Sequence, residues 1–163
     1  MFFDYTKIIQ FESVKSLEDS LQSLSKITNT SYWKVYLSGN IPDSFIMGVV
    51  NKDKVILCRV RPRIQNSITP HFYGKFKEID NKVYLHGKFT MHTFTKIFLA
   101  VYITIVCVFF IFGLFIITNP SDPFFGILWL SGCLSVLALL GIWKKYSYSN
   151  IEWISNEIKV ALN

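Results

Sequence analysis

Apolar and polar positions fall into three regimes along the chain. The first, residues 1–96, mixes short periodic patterns with charge. The second, residues 97–143, contains 47 residues and a single charge, Asp122. The third, residues 144–163, returns to a periodic pattern.

The middle regime predicts membrane spans. Residues 97–118 and 124–143 are two charge-free runs of 22 and 20 residues. A helix of 22 residues reaches about 33 Å, against a hydrocarbon core about 30 Å thick. Asn119-Pro120-Ser121-Asp122-Pro123 between them has the composition of a breaking turn. The expectation is a transmembrane helical hairpin, with Trp143 and Lys144-Lys145 anchoring the end of its second span. Ser131, Ser135, Ala138 and Gly141 recur at helical spacing in that span. Small residues allow close backbone approach in lipid, so these four are candidate helix-packing residues, within the hairpin or towards a partner. Neither span carries an Asp, Glu, Lys, Arg or His, which argues against a pump or transporter.

In the first regime, Leu17, Leu21, Leu24 and Ile27 repeat at helical spacing behind Ser16 and Asp19, a capping-box arrangement. Beyond Asn29 the pattern turns β-rich. Tyr32–Leu37 reads as a strand. Ser44–Val50 and Val55–Arg61 flank a polar turn, which would pair Val50 with Val55, Met47 with Cys58 and Phe45 with Val60. His71–Ile79 and Lys82–Thr93 flank Asp80-Asn81, residue types that tolerate the positive φ of a two-residue turn. That turn sets Phe76 opposite Leu85, Gly74 opposite Gly87 and Phe72 opposite Phe89, with Lys77–Tyr84 and Lys75–His86 on the other face. A one-residue slip would turn one strand's apolar set into water. Facing glycines suggest close approach by another element.

In the third regime, Ser149 and Glu152 could cap a helix over 150–162 whose stripe is Ile151, Ile154, Ile158 and Leu162. That stripe would pack on the sheet or lie in the membrane interface.

Composition agrees with the pattern. Charged residues are 17% of the chain, against about 25% in an ordinary soluble domain, and hydrophobic residues are 51%. This excludes a disordered chain, a disulfide-stapled domain and a simple soluble globule. The net charge of +6 resides in residues 1–96, which hold fourteen Lys/Arg against eight Asp/Glu. Excess Lys/Arg beside spans marks the cytoplasmic side, so both termini are expected in the cytoplasm, in a multi-pass protein of the inner (plasma) membrane. The basic residues form no nucleic-acid-binding module. Cys58, Cys107 and Cys133 match no zinc or redox spacing and read as structural thiols. The N-terminus lacks the layout of a signal peptide.

Candidate chemistry is sparse. Arg59, Arg61 and Arg63 alternate along one strand and share a face; Lys75, Lys77 and Lys88 occupy the polar face of the next hairpin. These six could form a basic plate for anionic lipid, dock an acidic partner, or be solvated charges that keep sheet edges from aggregating. His71, His86 and His92 are too dispersed to ligate one metal. Asn66, Ser67 and Pro70 lie in a connection and read as turn formers. No catalytic residues, metal site or cofactor is indicated.

The pattern Phe45-x-x-Gly48-x-Val50, Asn66-Ser67-x-x-Pro70, Gly74, and Gly87 with Met91-His92 resembles a family of uncharacterised bacterial small membrane proteins. In those proteins a β-rich cytoplasmic head precedes one or two spans. The resemblance covers about residues 43–110; this chain has Gln65 where relatives carry Arg, and Thr93 where they carry Pro. It implies architecture rather than activity.

The expectation is thus an α+β membrane protein in three parts. Residues 1–96 form a head, an N-terminal helix followed by an antiparallel meander of four or five strands. Residues 97–143 form the hairpin, and 144–163 a cytoplasmic C-terminal helix. The expected function is non-enzymatic: a membrane-anchored interaction or accessory module, with the bilayer and either a protein partner or further copies of itself as partners. The alternative is a lipid- or ligand-sensing module that reads anionic headgroups through its basic sheet face.

Overall fold

The computed structural model describes residues 8–37, 39, 41–62, 69–117 and 123–163. The chain is α+β, with ten elements: β1 (Ile8–Ser13), α1 (Leu17–Ile27), β2 (Thr28–Asn29), α2 (Tyr32–Leu37), β3 (Phe45–Val50), β4 (Val55–Val60), β5 (His71–Ile79), β6 (Lys82–Thr90), α3 (Thr93–Ile117) and α4 (Pro123–Leu162). They divide into two compact units. One is Met1–His92 with Ser147–Asn163; the other is Thr93–Tyr146.

The first unit is built on a six-stranded mixed sheet in the order β1-β6-β5-β4-β3-β2. The two hairpins adopt the expected registers. Val50 pairs with Val55, Met47 with Cys58 and Phe45 with Val60. Phe76 pairs with Leu85, Gly74 with Gly87 and Phe72 with Phe89. Asp80 and Asn81 both take positive φ, 52° and 60°, as a type I′ turn requires. Ser16 caps α1, its Oγ accepting from the Asp19 N–H at 3.2 Å.

Pleat parity divides the sheet into two faces. Phe11, Ile46, Val55, Leu57, Phe72, Phe76, Val83, Leu85 and Phe89 share one face and form the core. Leu24 of α1 and Ile154, Ile158, Ala161 and Leu162 of α4 join the same cluster. The end of α4 is also tied by hydrogen bonds to the β1–α1 connection. Its last carbonyls have no partner within the helix. The Leu162 carbonyl accepts from Ser13 Oγ at 3.0 Å and from the Val14 N–H at 3.3 Å. The Ala161 carbonyl accepts from Lys15 Nζ at 2.8 Å, a cation at the negative end of the helix dipole. Thus the tail packs on the sheet, as one of its two readings held.

Several expectations are corrected. The sheet has six strands, not four or five, and is mixed: β2 runs parallel to β3, Thr28 beside Ile46. The helix α1 is not the first element, because β1 precedes it and pairs with β6, Phe11 opposite Leu85. Tyr32–Leu37 is a helix rather than a strand. Its aromatic residues sit at i, i+4 spacing, Tyr32 stacked on Tyr36 at 6.0 Å, and Tyr32 also meets Phe45 at 6.2 Å. Aromatic β-propensity reflects packing opportunity more than backbone preference, and here the opportunity is helical. The tail is not a separate helix beginning near Ser149, since α4 is continuous from Pro123 to Leu162. Gly74 and Gly87 are crowded by the Phe72 ring on the same face and by the backbone of the paired strand: a Cβ on Gly74 would lie 2.6 Å from Phe72 Cε1 and 2.8 Å from the His86 carbonyl oxygen, and one on Gly87 would overlap Phe72 Cζ and lie 2.6 Å from the Tyr73 carbonyl oxygen.

In the second unit, α3 and α4 meet through Gly113 and Trp129. Trp129 Nε1 donates to the Phe109 carbonyl at 2.9 Å, and the two rings are edge-on at 5.4 Å. A Cβ on Gly113 would lie 2.7 Å from Trp129 Cδ1. Ser131, Ser135, Ala138 and Gly141 are exposed and do not make this packing; Ser135 donates within its own helix to the Ser131 carbonyl at 2.8 Å. Bulk and an indole N–H, rather than small residues, carry the contact on the α4 side. Among the described residues one helix, Thr93–Ile116, is long and apolar enough to cross a membrane by length and composition. The expected turn at 119–123 lies outside the described residues apart from Pro123, the first residue of α4.

Candidate functional site

The strongest constellation forms around Arg59 in the first unit. Alternation along β4 places Arg59 on the same face as Val55 and Leu57, the face covered by the helices. A guanidinium tolerates such a position when its donors are used and its plane is covered. Arg59 has its plane covered and both terminal nitrogens hydrogen-bonded, while its Nε is buried without a hydrogen bond. Nη2 donates to Ser44 Oγ at 3.2 Å, and Nη1 makes a long bond to Asn150 Oδ1 at 3.5 Å. Its Cζ lies 4.4 Å from the centroid of the Trp153 ring, within cation–π range. In α4, Asn150 and Ser147 are each 1% exposed, and Asn150 Nδ2 and Ser147 Oγ have no hydrogen-bond partner.

In front of Arg59 is a cavity of about 460 Å³, lined among others by Tyr36 of α2, Asp43 and Ser44 of the segment before β3, and Arg59 and Arg61. Asp43 is exposed. Ser44 accepts from Arg59 and retains its own hydroxyl hydrogen to donate. Arg59, Arg61, Ser44 and Asp43 thus line one concavity.

The six basic candidates do not form one plate. Arg59 lies on the helix-covered face, and Arg61 is half-buried beside the cavity. Arg63 lies outside the described residues. Lys75, Lys77 and Lys88 are exposed on the opposite face, where Lys75 pairs with His86, Lys77 with Tyr84 and Lys88 with Tyr73. The reason is parity: Val55 pairs with Gly74 and Leu57 with Phe72, so the odd residues of β4 share a face with the even residues of β5.

The remaining polar groups are dispersed. Asn66 and Ser67 lie outside the described residues, and Pro70 is buried. His71 pairs with Thr90 in the ladder, and its Nδ1 is buried without a hydrogen-bond partner. Burial, reinforced by the charge of His92, lowers the His71 pKa from the ordinary histidine value. A histidine whose folded pKa is depressed binds fewer protons folded than unfolded. Stability is therefore full above the unfolded value of about 6.5 and is lost as pH falls through it. We expect the unfolding midpoint to drop on acidification from pH 7 to 5.5, and His71→Gln to flatten that part of the profile; an unchanged slope would contradict the assignment. Burial pushes the Cys58 thiol up to about 11, so it is protonated at neutral pH. Among the described residues no group of three or more His, Cys, Asp or Glu is placed to hold a metal ion.

Sequence reasoning missed Tyr36, Asp43, Ser44, Asn150 and Trp153. One signal was available: Asn150 falls at helical spacing with Ile154 and Ile158, so a polar residue in an apolar stripe called for a partner. Comparison with protein-family models, with curated proteins and with solved structures found no match.

Proposed function

We propose that the chain is a two-span, membrane-anchored, non-enzymatic interaction module whose folded head lies on the cytoplasmic side. One observation carries this reading: the first unit is assembled from both ends of the chain, Met1–His92 and Ser147–Asn163. A chain that crosses a bilayer in α3 must cross again before Ser147 to rejoin the same core. The run 124–143 holds no charge, and in it Ile127, Leu134, Leu139 and Ile142 are exposed. A helix with apolar residues facing outward suits lipid rather than water. The excess of Lys/Arg in residues 1–96 favours the cytoplasm for the head. The resemblance of residues 43–110 to small bacterial membrane proteins with cytoplasmic heads agrees with this.

The test is purification of the full chain at native expression in mild detergent, with the mass and composition of the complex determined. A stoichiometric second protein is the expected result. Chain alone, without a protein partner, contradicts the accessory role. The cavity beside Arg59 favours a second reading, ligand sensing, in place of a flat basic plate.

A further inference from the structure

We infer that the sheet face formed by β5 and β6 docks an acidic amphipathic helix of a partner protein. The inference deepens the interaction-module reading, on which it rests, by naming a surface and the partner's chemistry. One face of the sheet is covered by α1 and α4. On the other, α2 meets the sheet at Phe45, the end of β3 away from its turn. Three successive rows of the β5–β6 hairpin lie on that second face. Each row holds one cation and one ring: Lys88 opposite Tyr73, Lys75 opposite His86 and Lys77 opposite Tyr84. The three lysines are exposed, and among the described residues no ion pair engages them. Glu12 is the only carboxylate that the described strands place on this face, and it is held by Lys82 at 2.7 Å. The face therefore presents an unopposed run of positive charge.

Spacing sets the occupant. Diagonal cross-strand neighbours and alternate residues of one strand are both about 7 Å apart, so Lys88, Lys75 and Lys77 step along the hairpin at about that interval. Carboxylates at i, i+4 and i+8 of an α-helix step at about 6 Å, so one helix face can meet all three. A helix also needs no backbone partner from the face it covers, whereas an extended segment laid there would leave its N–H and C=O groups unpaired. The Tyr73 row continues through Ile56 of β4 to Val49 of β3, which is 46% exposed. This apolar ground suits the aliphatic side of an amphipathic helix. A second copy of the same face does not fit, because it would set lysines on lysines. Tyr73 and Tyr84 are half-buried and lie edge-on to His71 and His86 at 6.1 Å. They are packed within the sheet rather than standing out as platforms for nucleic-acid bases.

The test uses the full chain in neutral detergent. It is titrated with an alanine-based helical peptide carrying Glu at i, i+4 and i+8, and with a permuted peptide of the same composition whose Glu residues share no face. Saturable binding of the first is expected, weaker at high salt and about tenfold or more tighter than that of the second. Lys75→Glu with Lys88→Glu should weaken it by about tenfold or more, since attraction becomes like-charge repulsion. Lys26→Glu with Lys159→Glu makes the same change of net charge on α1 and α4, the helices of the other face, and should leave binding unchanged. All four lysines are exposed, so folding is little affected by either pair. No saturable binding of the first peptide, equal binding of the permuted one, or equal loss in both double variants would overturn the proposal. So would a thymidine oligonucleotide or phosphatidylglycerol micelles occupying the lysines in the peptide's place. Failure of the wider reading is distinct. Native purification without a second protein contradicts the module, whereas a stoichiometric partner retained by the Lys75→Glu, Lys88→Glu chain leaves the module standing and overturns this surface.

Discussion

A chain ending at Tyr146 loses the cooperative unfolding transition of the head. Ile154, Ile158 and Leu162 are each 0% exposed in the full chain. Burying one such side chain contributes about 1.5–3 kcal/mol, so the three together contribute about 5–9 kcal/mol. Total domain stability is about 5–15 kcal/mol, and the deletion removes much or all of it. It also strips Ser13 and Lys15 of their carbonyl acceptors and removes four residues, Ile154, Ile158, Ala161 and Leu162, from the core cluster. A milder probe is Ile158→Ala, expected to cost about 2–5 kcal/mol. Val160→Ala, at a position 75% exposed, should stay within about 0.5 kcal/mol. Hydrogen exchange of the β5 and β6 amides in detergent reads all three. Protected amides in the truncated chain would show that the tail is not part of the core.

Gly87→Val is the second large effect. Phe72 is fully buried, and its ring occupies the space over Gly74 and Gly87. Glycine lacks the side chain that stabilises a strand, and the aromatic ring of the neighbouring strand covers the gap. A valine there forces the ring off its rotamer or the strands apart, at a cost of about 1–3 kcal/mol or more. Phe72→Ala alone costs about 3–5 kcal/mol through the cavity it leaves. Because the two changes compete for one volume, the double variant should be less destabilised than the sum, by about 0.5–3 kcal/mol. Additive losses would show that the Tyr73 carbonyl, 2.6 Å from a Cβ at Gly87, rather than the Phe72 ring sets the cost.

The two hairpin registers were legible because one face of each strand is apolar and the turn residues have few conformations. Asp80-Asn81 and the run from Phe72 to Phe76 admit one pairing. The strand β1 was not legible: Ile8 and Ile9 are adjacent, and Ile8 is 75% exposed, so alternation is blurred at its start. The segment Tyr32–Leu37 misled because β-rich composition there serves a cluster of rings within a helix. At the site, the pair Arg59 and Arg61 was legible as residues but not as a place. Their strand alternates Val55, Leu57, Arg59, which sets Arg59 among apolar neighbours. Only the approach of α4, bringing Asn150 and Trp153 from ninety residues away, shows how its charge is housed. Sequence distance hides such a contact, because no local period records it.

The central claim is that head and tail form one folded body on one side of a membrane, joined by two spans. Reporters fused at Met1, Asn163 and Ser121, each active in only one compartment, test it most directly. Cytoplasmic signal at Met1 and Asn163 with the opposite signal at Ser121 is the predicted result. Opposite compartments for Met1 and Asn163 would contradict the shared core, and cytoplasmic signal at all three would contradict the two spans.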